Sequence, residues 1–160
     1  MKNSFSALIV LLVFLIYTPS TQAKTRMPDE VRTACEKYGE IYNICPEFLE
    51  GIAYEESRFE AAAVDSTKTC HGLMQIHKAS HKSRMKRLGV NNIYDVDGNI
   101  LVAADYLAEL FEQYEDAGTV LMIYHGEKDA VRKSEQGNLS KYAKRVLSMS
   151  EMYEIAHGKK

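Results

Sequence analysis

An all-α, or nearly all-α, fold is what this sequence predicts, and three observations lead to it. Apolar residues recur at helical spacing, most regularly from Asn99 to Tyr114, where Ile100, Ala103, Ala104, Leu107, Leu110, Phe111 and Tyr114 make one stripe. No alternating apolar–polar run of useful length is there to specify a strand. No internal repeat points to a solenoid or an array.

Taken in order, the chain opens with the pattern of an export segment. Lys2 supplies a positive charge, Ala7 to Tyr17 is an unbroken apolar run, and Thr21-Gln22-Ala23 offers small residues before a cut. The run falls short of the roughly 20 residues that a membrane span takes. A retained anchor is the alternative reading, and membrane attachment is expected only in that case. Residues 1–23 are therefore assigned to a signal peptide and residues 24–160 to one folded domain, long enough for a single core. The expected location is secreted or in the cell envelope.

Pro28-Asp29-Glu30 begins a first helix, with proline in the first turn and acids at the positive end of the dipole. It is expected to stop at Gly39 and to bury Val31, Cys35 and Tyr38. Pro46 begins a second helix. At about 100° per residue, Phe48, Leu49, Ile52 and Ala53 share an arc with Glu56 near its centre, Glu55 at its edge, and Glu47 and Glu50 off it. Asp65-Ser66-Thr67-Lys68-Thr69 is turn chemistry. His77 to Leu88 reads as a polar-faced helix closed by Gly89, and Asp97 or Gly98 stands near the cap of the long helix. That long helix, from Asn99 to Tyr114, is expected to be the central one. Ala117 to Tyr124 is a shorter apolar helix, Ser134 to Asn138 a loop, and Ser140 the cap of a last helix with Tyr142, Ala143, Val146, Met149, Tyr153 and Ala156 inside.

Charge excludes one class of partner. The chain has 20 Lys and Arg against 22 Asp and Glu, a net charge of −2, and no polybasic stripe, so nucleic acid is not expected. Lys78, Lys82, Arg84, Lys86 and Arg87 form a local basic cluster, read as a solvated helix face; a lean toward an anionic polymer is the other reading. Three cysteines, Cys35, Cys45 and Cys70, allow one disulfide in an exported chain. A Cys45–Cys70 bridge would tie the second helix to the segment after it, and spacing leaves Cys35 open as a partner. Cys70, His71, His77 and His81 lie close in sequence, with His77 and His81 at i, i+4. No further Cys or acid completes a familiar zinc signature, so no metal and no cofactor is expected.

Glu56 is the residue with chemistry in view. A carboxyl on the buried face of a helix loses hydration and is favoured in its neutral form, which is what a general acid needs. On the helix alone, a carboxylate reaching solvent from a helix end is the stronger reading. The surroundings change the balance. Glu56-Ser57, Gly72-Leu73-Met74-Gln75-Ile76, Asn99-Ile100-x-x-Ala103-Ala104-x-Tyr106-Leu107, Tyr124-His125-Gly126 and Tyr142-Ala143 follow one another in order. Together they resemble the soluble lytic murein transglycosylase catalytic domain of the goose-type lysozyme-like superfamily, over about residues 35 to 150.

The resemblance implies a bilobed lysozyme-like helical domain, built around a central helix and a cleft for peptidoglycan glycan strands. It implies cleavage of the β-1,4 bond between N-acetylmuramic acid and N-acetylglucosamine. Glu56 would act as sole acid and base, leaving 1,6-anhydro-muramic acid ends. It also implies substrate-binding roles for Ser57, Met74, Gln75, Tyr124, His125 and Tyr142, with Tyr124 at the position that contacts the catalytic glutamate. Read from the residues alone, Ser57 bonds backbone, Met74 fills core, and both tyrosines lie on apolar stripes. Three positions depart from the family pattern: Ala103 and His125 stand where glycine and asparagine are usual, and Gly126 to Val131 lacks the usual extra glycines. Two other classes stay in play. One is a muramidase-type hydrolase in which Asp65, Asp95 or Asp97 positions water. The other is a non-catalytic peptidoglycan-binding module or a component of an envelope-assembly machine.

Overall fold

The computed structural model describes residues 26–159, and the segment assigned to export lies outside them. The described chain is helical apart from one hairpin: α1 (Asp29–Tyr42), α2 (Pro46–Ser57), β1 (Cys70–His71), β2 (Ile76–His77), α3 (Lys82–Arg87), α4 (Val96–Gln113), α5 (Ala117–Tyr124), α6 (Ala130–Glu135) and α7 (Lys141–Ala156). No helix among the described residues is long and apolar enough to cross a membrane.

α1 starts after Pro28 as expected but runs through Gly39 to Tyr42, where Asn43 takes the left-handed cap conformation at φ 53°. Gly39 serves packing rather than termination, because a Cβ there would come within 2.7 Å of the Ile44 carbonyl oxygen. α4 is capped by Asp95, whose carboxylate accepts from the Gly98 N–H at 2.8 Å, not by Asp97 or Gly98. α5 has the expected bounds, with Asp116 accepting from the Thr119 N–H at 2.7 Å. Ser140 caps α7, its hydroxyl accepting from the Ala143 N–H at 3.1 Å.

Three local expectations are corrected. The segment 77–88 is helical only over Lys82–Arg87, because His77 is taken up in the β1–β2 hairpin, where it pairs with Cys70 while Ile76 pairs with His71. Two-residue strands are too short for alternation to announce them. α6 occupies part of the stretch read as a loop.

The third correction concerns α2. Its residues Glu47 to Ala53 are buried without a break, because α7 and α1 both pack against it. Glu47 and Glu50, off the apolar arc, are only 1% and 0% exposed. Glu47 is compensated by His157 at 2.9 Å and Lys159 at 2.8 Å. Glu50 has no hydrogen-bond partner for either oxygen among the described residues. α4, the expected central helix, is buried along one side, whereas α2 is buried from Glu47 to Ala53 and half-buried over the turn that carries Glu56.

The cysteines do not pair. Cys35, Cys45 and Cys70 are all free thiols. Cys45 caps the start of α2 and donates to Glu47 at 3.1 Å, whereas Cys70 sits within electrostatic reach of Glu56 at the other end. At 1.5 Å per residue those ends are roughly 16 Å apart, far beyond the Cα separation of about 4.4–6.8 Å that a disulfide spans.

Candidate active site

α2 delivers Glu56 in its last turn and then ends abruptly. Arg58 and Phe59 are both left-handed, at φ 56° and 67°, a conformation that L-residues with a Cβ adopt at a cost. Phe59 is buried and its ring packs against Tyr54 and Tyr153, which offsets that strain. The Ser57 hydroxyl donates to the Leu73 carbonyl at 2.7 Å, tying the end of α2 to the Gly72–Gln75 turn. Its single proton is thereby committed to backbone, which leaves the hydroxyl oxygen only as an acceptor.

The turn itself is latched from α4. Asn99 is 0% exposed; its carbonyl accepts from the Met74 N–H at 2.7 Å, and its amide donates to the carbonyls of Ile93 at 2.7 Å and His71 at 3.2 Å. Gly72, at φ 78°, lies so close that a Cβ would strike the Asn99 amide and the Ile93 carbonyl. Met74 is 0% exposed. It fills core and does not line a saccharide subsite, because its backbone is held inward by Asn99 and its carbonyl by the Tyr124 hydroxyl at 2.8 Å.

Tyr142 makes the direct contact with the acid, its hydroxyl donating to Glu56 Oε1 at 2.6 Å. This corrects the assignment of that contact to Tyr124, whose hydroxyl is spent on Met74. Burial first and the Glu56 charge second push the Tyr142 phenol well above its ordinary pKa, so it stays a donor. His125 lies on the other side of the same ring: its imidazole stacks on Tyr142 with centroids 3.9 Å apart and planes 10° apart. Its Nδ1 is 3.8 Å from Glu56 Oε1, and the contact with that carboxylate raises the imidazole pKa against a smaller opposing effect of burial. Glu55, one residue earlier, is paired with Arg145 and Arg58.

Beside this group opens a cleft of about 370 Å³ whose walls include Cys70, Gln75, His77, Tyr106, Tyr124 and His125. Gln75, left-handed at φ 47°, spends its amide hydrogens on the carbonyls of Gly72 at 2.9 Å and Ala63 at 3.3 Å, which leaves its carbonyl oxygen as an acceptor. No carboxyl of the described residues lines this cleft. Asp65 is fully engaged in its own turn, held below the usual carboxylate range by the Thr67 hydroxyl and by the backbone N–H groups of Cys70, Thr69 and Thr67. Asp95 caps α4, and Asp97 bonds Lys37 at 2.9 Å and Tyr38 at 2.6 Å. The histidines weighed for zinc have other contacts: His71 with Tyr94 at 2.9 Å, His77 with Ser80 at 2.7 Å, and His81 against the Tyr106 ring.

Two residues go beyond the sequence reading. Asn99 and Tyr106 both fall inside a motif that was legible, but neither had a role. Asn99 is a polar residue opening an apolar helical stripe, a pattern that signals a buried hydrogen-bonding latch. Tyr106 packs between the tilted rings of His81 and Tyr124, with centroids at 4.6 Å and 5.7 Å, and nothing in its spacing marks it.

Comparison with known proteins adds three findings. A family model described as the transglycosylase SLT domain matches residues 33–146. The chain is 36% identical over 85 residues to a protein named transglycosylase from Enterobacteria phage PRD1, a match covering 53% of this chain and 30% of that protein. Its fold is similar to that of an inactive mutant of the lytic transglycosylase Slt from Pseudomonas aeruginosa. The TM-score is 0.65 at 16% identity, over 79% of this chain and 24% of that one. That likeness bears out the all-α, lysozyme-like architecture. The matches span less than a third of the length of either relative.

Proposed function

Because this chain belongs to the transglycosylase SLT domain family, we propose that it is a peptidoglycan lytic transglycosylase with Glu56 as its only acid and base. The observation that carries this reading is the Glu56 carboxyl held by Tyr142 and near His125, beside a cleft that no carboxyl of the described residues lines. Hydrolysis with inversion uses two carboxyls about 6.5–9.5 Å apart, and retention through a carboxylate nucleophile about 5–5.5 Å apart. With one carboxyl in view, a hydroxyl of the substrate itself serves as the nucleophile in this reading.

The glycan strand lies in the cleft with the muramic acid–glucosamine bond at Glu56. The protonated carboxyl donates to the bridging oxygen as the C1–O4 bond breaks, and the leaving glucosamine takes that proton as its hydroxyl. The resulting carboxylate then accepts the proton of the muramic acid 6-hydroxyl while O6 bonds to C1. The 1,6-anhydro ring closes, Glu56 is again protonated, and no water is consumed. Tyr142 supports the middle of this cycle by donating to the carboxylate, and its raised pKa keeps its own proton in place. Gln75 offers its carbonyl to an N-acetyl N–H, and Tyr106 and Tyr124 form part of the cleft wall against the sugars. On the pattern in residues 1–23, the reading includes export to the cell envelope, where the polymer is.

Mass spectrometry of fragments released from purified peptidoglycan tests this. Muropeptides ending in 1,6-anhydro-muramic acid are expected from the wild type and absent with Glu56→Gln. Reducing muramic acid ends would replace the reading with hydrolysis, and binding without fragments would replace it with the binding module.

A further inference from the structure

A concavity larger than the cleft beside Glu56 lies elsewhere on the protein. It is a groove of about 620 Å³ on the far side of the hairpin, bounded by Lys68 and Thr69 before β1, His71 and His77 on the strands, and Lys78, Lys82 and Lys86 with Met85 and Val90 around α3. No acidic side chain lines it, and all four lysines are exposed. None of them is in an ion pair among the described residues, whereas Arg84 and Arg87, on the same short helix, are both paired with Asp105. Lys82 and Lys86, four apart on α3, lie on one face. The floor is apolar, with Met85 8% exposed. The groove meets the catalytic cleft at His77, which lines both.

A neutral sugar has no use for four ammonium groups. Their company is costly without an anion to share, since like charges in one groove repel. We propose that this groove is a second binding site, which takes the carboxylate-bearing peptide stem of the strand whose glycan lies in the cleft. The proposal rests on the reading of peptidoglycan as the polymer. Its logic is complementarity: a stem peptide carries several free carboxylates on short aliphatic side chains. The groove offers lysines around an apolar floor, and His77 sets it next to the place where the stem-bearing sugar would sit. Exposed charge pairs of this kind are individually weak and salt-sensitive, which suits a site that must release its ligand after each turnover.

The test compares the wild type with a Lys68→Glu, Lys82→Glu, Lys86→Glu triple variant. All three positions are exposed, so the fold should survive, and an unchanged thermal melt checks this. On peptidoglycan with intact stems the variant should raise KM at least about fivefold, the combined effect of three exposed pairs, with kcat little changed. On glycan strands stripped of stems by an amidase, the two proteins should be equal. Restoring positive charge with Arg at the same three positions should restore KM. A second arm needs no cleavage: stem peptides released by the amidase are titrated into Glu56→Gln protein and followed by NMR. Shifts confined to the α3 groove, weakening with salt, support the site even if the chain proves to cleave nothing. An equal KM on both substrates, no shifts in the groove, or binding of a phosphate polymer but not of stem peptide would each overturn the proposal.

Discussion

The Tyr142 hydroxyl donates to Glu56 Oε1 at 2.6 Å, joining the end of α2 to the start of α7 across 86 residues of chain. The bond is made inside the protein, with the Tyr142 ring only 5% exposed. On the proposed mechanism it is therefore available to stabilise the glutamate carboxylate at the moment the proton has left.

Tyr142→Phe keeps the ring and its stack with His125 but removes the donor. A hydrogen bond to a charged group is worth about 1.5–3 kcal/mol, so kcat should fall roughly 10- to 100-fold with KM nearly unchanged. Steady-state release of anhydro-muropeptides measures both.

His125 should confer a pH dependence on stability. Its folded-state pKa is raised by Glu56, above an unfolded value of about 6.5. The contact therefore contributes fully below that unfolded value and is lost as pH rises through the raised folded one. Compared with His125→Asn, the wild type should show a Tm advantage at pH 5.5–6 that shrinks toward pH 8. Melts of both proteins across that range check it, and an advantage growing with pH would contradict it.

Glu50 is expected to weaken the protein at neutral and alkaline pH. Burial pushes its carboxyl up to about 7, so the folded state holds a proton that the unfolded chain has already released above about 4.3. Stability from this residue falls as pH climbs from there to about 7 and is then constant. Glu50→Gln removes that loss and should stabilise by roughly 1–3 kcal/mol at pH 8 and little at pH 4, as read from urea unfolding.

The Asn99 latch should matter to fold and site together. Asn99→Ala leaves the Met74 N–H and the Ile93 carbonyl without their buried partner, at a cost of about 2–4 kcal/mol. Gly72→Ala should be at least as costly, because the new Cβ meets Asn99 at a left-handed backbone position. Chemical denaturation gives the size of both effects.

Much of this was legible in the residues. Helical period identified α1, α2, α4, α5 and α7, with proline opening α1 and α2 and Ser140 capping α7, because an amphipathic stripe and such start signals are local properties of the chain. Glu56 stood out because an acid within an apolar arc is rare, and ordered motifs around it pointed to the cleft. The sequence also exposed the local basic cluster, part of which lines the second groove.

The packing settled the rest. Period shows which face of a helix is apolar, not how many neighbours enclose it, so the burial of Glu47 and Glu50 depended on α1 and α7 closing over α2. Residue order cannot say which of two tyrosines reaches a carboxyl, and the choice fell to Tyr142 because the Tyr124 hydroxyl was taken by the Met74 carbonyl. Ser57 and Met74 looked like binding residues by position, yet the Ser57 proton went to the Leu73 carbonyl and the Met74 backbone to the Asn99 and Tyr124 side chains, contacts that form only when α2, the hairpin turn, α4 and α5 meet. Cys45 and Cys70 are neighbours by motif but stand at opposite ends of a rigid helix. Local propensity is written in the chain; which polar atoms find each other across it is a matter of three-dimensional distance.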